Sequence, residues 1–149
     1  MKIYLGADHR GYYLKEKVKE WLKEWDHTFE DAGASEFDPT DDYTIFAERV
    51  ASIVAQTKGA KGILMCGSGV GVDVMANKFD GVRASFGKTK EQVRDGRTDD
   101  DMNILIMAAD FTSDNEAKQM LKEFLETEFS GVARYKKRLS DIKKIEANN

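Results

Sequence analysis

The sequence is poor in the residues that build disulfide scaffolds and metal sites. It contains one cysteine, Cys66, and two histidines, His9 and His27. A single thiol excludes an intramolecular disulfide and is typical of a protein from a reducing compartment. The three residues lie far apart and match no zinc-binding spacing, so the sequence predicts a protein without a metal.

Long apolar runs are missing as well. No stretch of about 18 apolar residues is present, which argues against a membrane span. The apolar run at the start of the sequence is too short for a signal peptide. The formal net charge of −4 disfavours a general nucleic-acid binder. We therefore expect a cytoplasmic protein that binds neither membranes nor nucleic acids.

Nothing in the sequence divides it into parts. The chain of 149 residues has a single proline, Pro39, and contains neither an internal repeat nor a low-complexity linker. Its 41% hydrophobic and 34% charged residues are ordinary for a globular protein, and its length is enough to bury a core. The sequence thus predicts one domain that spans residues 1–149.

Strand-like runs and helical patterns alternate along the chain. The strand-like runs cover residues 1–7, 28–31, 62–65, 81–86 and 102–109. Helical patterns follow the first run and then cover residues 43–56, 72–78, 90–97 and 114–129, before a basic C-terminal helix; the segment 90–97 is polar. This alternation predicts an open three-layer α/β/α fold, in which helices cover both faces of a parallel sheet of about five strands.

A glycine-rich loop follows the third predicted strand. Gly67, Gly69 and Gly71 let the backbone approach a ligand closely, and the N–H groups at the start of the next helix can bind an oxyanion. A plain tight turn or a generic phosphate cradle is the alternative. The spacing departs from the dinucleotide-binding pattern G-x-G-x-x-G, and Gly87 and Lys88 stand about 20 residues onward instead of an acidic ribose ligand. We therefore expect no nucleotide cofactor.

Cys66 immediately precedes that loop, at the carboxyl end of its predicted strand. A thiolate there can remove a carbon-bound proton, and the loop N–H groups can hold the enediolate that results. A buried structural cysteine is the equally weighted alternative.

His9, beside Asp8, follows the first strand and so faces the same edge of a parallel sheet. For His9 the alternative is a loop histidine with local partners.

Two arginines near the C-terminus offer a phosphate site. Arg134 and Arg138 lie one helical turn apart, so their guanidinium groups can converge on one phosphate. Lys136 and Lys137 make the same segment strongly basic. A solvated helix face is the alternative interpretation of such a run.

Several motifs, taken together, resemble the ribose-5-phosphate isomerase B and galactose-6-phosphate isomerase family. They are G-A-D-H-R-G, D-Y, C-G-S-G-V-G, A-N-K and G-V-R-A, with the basic end. The resemblance implies a Rossmann-like subunit that forms a homodimer or homotetramer, with active sites at subunit interfaces and a C-terminal helix that reaches the neighbouring subunit. It also implies an aldose–ketose isomerase that interconverts ribose 5-phosphate and ribulose 5-phosphate without a metal or nucleotide cofactor.

The resemblance also implies roles for individual residues. Cys66 would move a proton between C1 and C2 through an enediolate, and Ser68 would bond the reacting oxygens. The anion hole would be formed by the loop that contains Gly67, Gly69 and Gly71. The sugar contacts would be Asp8, His9, Tyr43, Asn77 and Asn103. The phosphate would bind Arg134 and Arg138, at least one of them from the neighbouring subunit.

Three positions depart from the family pattern. Asp99 stands where a histidine usually opens the sugar ring, and it can act as an acid or base but not as an imidazolium. Asp110 stands where many members have a phosphate-binding arginine, and Tyr135 where a histidine is common. We count Asp99 among the expected catalytic residues, and two alternatives stay open. The protein would act on a six-carbon sugar phosphate such as galactose 6-phosphate, or would bind sugar phosphates without catalysis.

Overall fold

The computed structural model describes all residues from Met1 to Asn149. The strands are β1 (Ile3–Ala7), β2 (Glu30–Asp31), β3 (Lys61–Cys66), β4 (Ala84–Phe86) and β5 (Ile104–Ala108). The helices are α1 (Tyr12–Glu24), α2 (Tyr43–Gln56), α3 (Val70–Ala76), α4 (Lys90–Asp100), α5 (Asp114–Glu126) and α6 (Ala133–Ala147). Strands and helices alternate up to α5, as the sequence predicts.

All the strands pair in parallel in one sheet, in the order β2-β1-β3-β5-β4. The predicted parallel sheet of about five strands is confirmed. From β1 the chain moves outwards to β2 and then crosses back to β3, so the strand order reverses between β1 and β3. Sheets of this kind bind ligands at the carboxyl ends of the strands beside such a reversal. The fold therefore favours a binding site where β1 and β3 end.

Helices cover both faces of the sheet, which confirms the three layers. One face packs against α1, α4 and α5 in a buried cluster of 17 residues. The other packs against α2 and α3 in a cluster of 13 residues. Strand β5 is buried along its whole length, as is β3 except for Lys61. Strands buried on both faces need continuous apolar sequences, which is why β3 and β5 were identified from the sequence.

Several boundaries differ from the predicted ones by one to three residues; helix α5, for example, ends at Glu126 rather than at residue 129. Strand β4 begins at Ala84 rather than near residue 81, because Gly81 takes a left-handed turn with a φ of 85°. Helix α4 extends to Asp100 rather than ending at Arg97. The Arg97 guanidinium donates to the Asp101 carboxylate at 2.9 Å, a contact that secures the last turn of the helix.

Helix α6 packs differently from the other helices. None of its 15 residues is buried, and Ile145 is 66% exposed. Near its end, the Glu146 carboxylate accepts a hydrogen bond from the N–H of Gly81 at 2.9 Å. None of the helices, α6 included, is long and apolar enough to cross a membrane.

Lys61 is a partly buried cation at the start of β3. Its Nζ donates to the carbonyl of Phe124 at 3.0 Å and lies 5.4 Å from the centre of the Phe124 ring. Burial, together with the nearby positive charge of Arg97, lowers the pKa of Lys61 to about 8, against the opposite effect of Glu128 and Asp101. The native protein thus binds this proton less tightly than the unfolded chain does.

We expect the free energy of unfolding to rise with pH from about pH 8 towards the ordinary lysine pKa of about 10.4. The reason is that the unfolded chain binds the Lys61 proton across that interval while the native protein does not. Lys61→Met should remove this increase, whereas Lys58→Met, at an exposed lysine, should retain it. Urea unfolding of the three proteins at a series of pH values measures the effect. The prediction would be wrong if the free energies of unfolding of wild type and Lys61→Met changed with pH by the same amount.

Candidate active site

The carboxyl ends of β1, β3 and β5 meet at one edge of the sheet. Strand β3 pairs with β5 as far as Cys66, and the pairing continues beyond the strands. The N–H of Ala109 donates to the Cys66 carbonyl at 2.9 Å, and the N–H of Asp110 donates to the Gly67 carbonyl at 3.0 Å. Cys66, only 4% exposed, is therefore held as the last strand residue before the glycine loop.

The loop of residues 67–71 is covered by two side chains that need its glycines. A Cβ at Gly67 would overlap the guanidinium of Arg10, and a Cβ at Gly71 would lie 2.6–2.8 Å from the ring of Tyr43. Gly69 has a φ of 75°, a left-handed conformation that favours glycine. Tyr43, a predicted sugar contact, thus lies directly against the loop.

Ser68 lies exposed in the same loop. Its Oγ accepts a hydrogen bond from the N–H of Val70 at 3.2 Å, which leaves the hydroxyl proton free for a ligand. A hollow opens between Ser68, helix α3 and Phe86 at the end of β4. Ser68 is therefore placed to donate to a ligand that lies over the loop.

Asn77, another predicted sugar contact, joins α3 to β4. Its Nδ2 donates to the Asp73 carboxylate at 2.7 Å and to the Ala84 carbonyl at 3.0 Å, and its Oδ1 accepts from the Ala84 N–H at 3.0 Å. Burial raises the pKa of Asp73 above its usual range, and the hydrogen bond from Asn77 opposes that rise. Asn77 therefore stabilises the fold, and its contact with a sugar stays a prediction.

Asp8 and His9 follow β1 at the same edge of the sheet. Oδ1 of Asp8 accepts hydrogen bonds from the N–H groups of Arg10 and Gly11, both at 3.0 Å. Oδ1 of Asp41 accepts from the His9 N–H at 2.9 Å and lies 2.7 Å from the His9 Nδ1. Asp41 thus orients the imidazole with Nδ1 towards itself, which leaves Nε2 for another partner.

Asp41 was not identified from the sequence. The available signal was its position two residues before Tyr43, in the loop that leads into α2. Its second carboxylate oxygen, Oδ2, is buried without a hydrogen-bond partner. Together Asp8, His9 and Asp41 bring three possible metal-ligand atoms within 4.8 Å of one another, a proximity that the sequence spacing does not reveal. The expectation that the protein needs no metal stays a prediction.

Arg10 is a second residue that the sequence analysis missed. Its guanidinium forms an ion pair with Asp110, whose carboxylate by itself would repel a phosphate. In the structure the negative charge of Asp110 is instead neutralised by Arg10. The two residues stand 100 positions apart, so only the order of the strands brings them together.

Two of the remaining predicted residues lie at the opposite edge of the sheet, where the strands begin. Asp99 is near the end of α4, and Asn103 immediately precedes β5. A strand of five residues spans roughly 16 Å, which separates them from the glycine loop of the same subunit. Oδ1 of Asn103 accepts from the N–H of Arg83 at 2.7 Å, and its Nδ2 donates to the Gly81 carbonyl at 2.8 Å. These bonds fix the turn before β4.

Arg134 and Arg138 belong to a segment that is attached to α4, the helix that carries Asp99. They occupy the first two turns of α6, and the segment before α6 is tied to α4 because the N–H of Ser130 donates to the Thr98 carbonyl at 3.1 Å. Both arginines are exposed. One subunit therefore holds two groups of predicted site residues, one at each edge of the sheet.

Nearly the whole chain matches one protein family. Residues 3–142 match the family model described as Ribose/Galactose Isomerase. The chain belongs to the ribose/galactose isomerase family. It is 35% identical over 145 residues to a probable ribose-5-phosphate isomerase B of Mycoplasma genitalium, and this match covers 97% of the chain and 95% of that protein.

Solved structures described as ribose-5-phosphate isomerases share the fold. The crystal structure of ribose-5-phosphate isomerase B from Mycoplasma genitalium with bound ribulose-5-phosphate has a TM-score of 0.94 at 34% identity, with 99% of this chain and 97% of that chain covered. The type B ribose 5-phosphate isomerase of Trypanosoma cruzi has a TM-score of 0.95 at 31% identity, with both chains fully covered. The Rossmann-like fold expected from the motifs is thus confirmed.

Membership of the ribose/galactose isomerase family confirms the resemblance that the motifs carry. It leaves the roles of single side chains as predictions, because similarity of whole chains does not show which atoms react. The charge reversal at Asp110, paired with Arg10, is a feature of this chain that its own geometry explains.

We expect Gly71→Ala to lower the free energy of unfolding by about 1–3 kcal/mol, the usual cost of overpacking, because the added methyl group overlaps the Tyr43 ring. In a Tyr43→Ala background the same substitution should cost much less, since the overlapping ring is gone. Gly96→Ala, where the nearest atom lies 3.3 Å away, serves as the control. Urea unfolding measures all variants, and equal costs in the two backgrounds would exclude contact between Gly71 and Tyr43.

Proposed function

We propose that this protein is an aldose–ketose isomerase that interconverts ribose 5-phosphate and ribulose 5-phosphate. The observation that carries the proposal is the match of nearly the whole chain to ribose-5-phosphate isomerases B, one of them solved with bound ribulose-5-phosphate. Cys66 beside the glycine loop supplies the base and the oxyanion donors that such a reaction needs. The reaction as proposed uses no metal or cofactor.

Cys66 is the proposed base. As a thiolate it removes the proton from C2 of the open-chain aldose, and the electron pair of that C–H bond forms a C1–C2 double bond. The aldehyde oxygen takes the negative charge of the resulting enediolate, and the proton of the 2-hydroxyl moves to that oxygen. The thiol then returns its proton to C1, which leaves a ketone at C2 and restores the thiolate.

The glycine loop stabilises the negative charge in this scheme. Backbone N–H groups of residues 67–71 face the reacting oxygens, and the Ser68 hydroxyl donates to them. Asp8, His9 and Tyr43 surround the loop and contact the sugar hydroxyls. Support for this arrangement comes from the contact of Tyr43 with Gly71 and from the fixed orientation of His9.

A second subunit completes the active site, in a homodimer or homotetramer. Arg134 and Arg138 bind the phosphate of a substrate held by the neighbouring subunit, because they lie at the opposite edge of the sheet from their own glycine loop. Asp99, half-buried on the same side, is the acid–base group for opening the sugar ring. Helix α6, with no buried residue of its own, supports the proposal that it packs on a neighbour.

The proposal places this enzyme in the cytoplasm as one domain. Its single cysteine, which is buried and unpaired, fits a reducing compartment. One sheet joins segments from residue 3 to residue 108, which supports a single folding unit.

Cys66→Ala should lower kcat for ribose 5-phosphate by at least about 100-fold, the scale of general acid–base catalysis. The melting temperature should change little, because a small apolar residue still fits the end of β3. Cys66→Ser should retain little activity. Activity within about tenfold of wild type would exclude Cys66 as the base.

A wild-type protein that turns over galactose 6-phosphate and not ribose 5-phosphate would overturn the proposed substrate.

Hybrid oligomers test whether the site is shared. Cys66→Ala and an Arg134→Ala/Arg138→Ala variant should each be nearly inactive, and their mixture after unfolding and refolding should recover about a quarter of wild-type activity. Half of randomly formed dimers are hybrids, and each hybrid has one intact site of two. The control is refolding of each variant alone. A mixture no more active than its components would place both groups in one subunit.

A further inference from the structure

The guanidinium of Arg10 lies across the backbone of Gly67, the first residue of the glycine loop. Gly67 directly follows Cys66, so this cation stands next to the residue that follows the proposed base. The absence of a side chain at Gly67 is what permits the close approach. A ligand that enters the loop therefore meets a positive charge as well as backbone N–H groups.

Arg10 is held at both ends. Its backbone N–H donates to the Asp8 carboxylate at 3.0 Å, and its guanidinium pairs with Asp110. Asp110 is itself fixed, because its N–H donates to the Gly67 carbonyl at 3.0 Å. The carboxylate that orients the guanidinium is thus attached to the same loop that the guanidinium covers.

Most hydrogen-bond donors of Arg10 remain available. A guanidinium has five N–H donors, and the Arg10 side chain makes one hydrogen bond, to Asp110, while 55% of it is exposed. Arg97 offers a contrast, because it is buried and donates to the carbonyls of Thr127 and Met102. Arg97 serves the fold, whereas Arg10 presents unused donors at the candidate site.

We propose that Arg10 binds the phosphate group of the substrate, and that Asp110 is the positioning residue that holds its guanidinium over Gly67. The assignment rests on the proposed function, since it takes a sugar phosphate as the ligand. A guanidinium donates two parallel hydrogen bonds to two phosphate oxygens, a geometry that lysine cannot reproduce. The phosphate is also the one permanent negative charge of such a substrate, which makes it the group that a fixed cation attracts in every step.

Binding without turnover tests the assignment. Isothermal titration of ribose 5-phosphate into the Cys66→Ala protein gives the reference affinity, and adding Arg10→Ala should weaken it by about tenfold or more. Arg10→Lys should fall between the two. Lys17→Ala, which removes an exposed cation paired with Asp114, is the matched control and should change little. An Arg10→Ala affinity within about twofold of the reference would overturn the proposal.

Titration with inorganic phosphate separates this proposal from the proposed function. If wild type does not isomerise ribose 5-phosphate and Arg10→Ala still weakens phosphate binding, the function fails while the anion site stands. If wild type isomerises the sugar and Arg10→Ala binds phosphate as well as wild type does, the site fails alone. Should the intact protein bind neither ligand, both proposals fall.

Steady-state kinetics of the active protein, in which Cys66 is intact, show whether Arg10 contacts the phosphate or the reacting oxygens. Arg10→Ala should raise KM about tenfold with kcat nearly unchanged, because the phosphate contact is the same in the ground state and the transition state. A fall in kcat at constant KM would assign the guanidinium to the enediolate and reject the phosphate contact.

Two Asp110 variants test its positioning role. Asp110→Ala should weaken ribose 5-phosphate binding by a few-fold, because the guanidinium loses its anchor. Asp110→Asn keeps a hydrogen-bond acceptor and removes a negative charge near the phosphate, so it should bind at least as tightly as the reference. Binding by Asp110→Ala as tight as that of Asp110→Asn would reject positioning by Asp110.

Discussion

The pairing of β3 with β5, and its continuation for two residues beyond the strands, is the constraint on which the candidate site depends. The bonds from Ala109 to Cys66 and from Asp110 to Gly67 fix the backbone where the sheet ends and the loop begins. Without them the thiol would lose its position and the loop its orientation. Asp110 would also lose the place from which it pairs with Arg10.

The glycines of the loop also allow two side chains to pack directly on its backbone. Arg10 lies between β1 and α1 and Tyr43 begins α2, and each packs on a loop position that has no side chain. The walls of the site are thus built directly on backbone atoms, so the distance between wall and loop is set by main-chain geometry. A side chain at Gly67 or Gly71 would widen the site and displace the groups that face a ligand.

Much of this structure was predictable from local sequence. The continuous apolar runs of β3 and β5 are typical of strands buried on both faces, and Cys66 precedes the glycine loop in the chain itself. What could not be predicted depends on contacts between distant segments. The pairs His9 with Asp41 and Arg10 with Asp110 are 32 and 100 residues apart, and no periodicity relates their members. The division of the expected site between two edges follows from strand order, which residue types alone do not specify.

Helix α6 contributes no residue to the core, although it carries both arginines expected to hold the far end of the substrate. Since no residue of this helix is buried, substitutions on its exposed face need not alter the packing of the sheet. Cys66 and its neighbours, by contrast, are buried in the most constrained part of the molecule. Descendants of such a chain can therefore vary the length or charge of the sugar they accept over evolutionary time, while the proton-transfer chemistry stays unchanged.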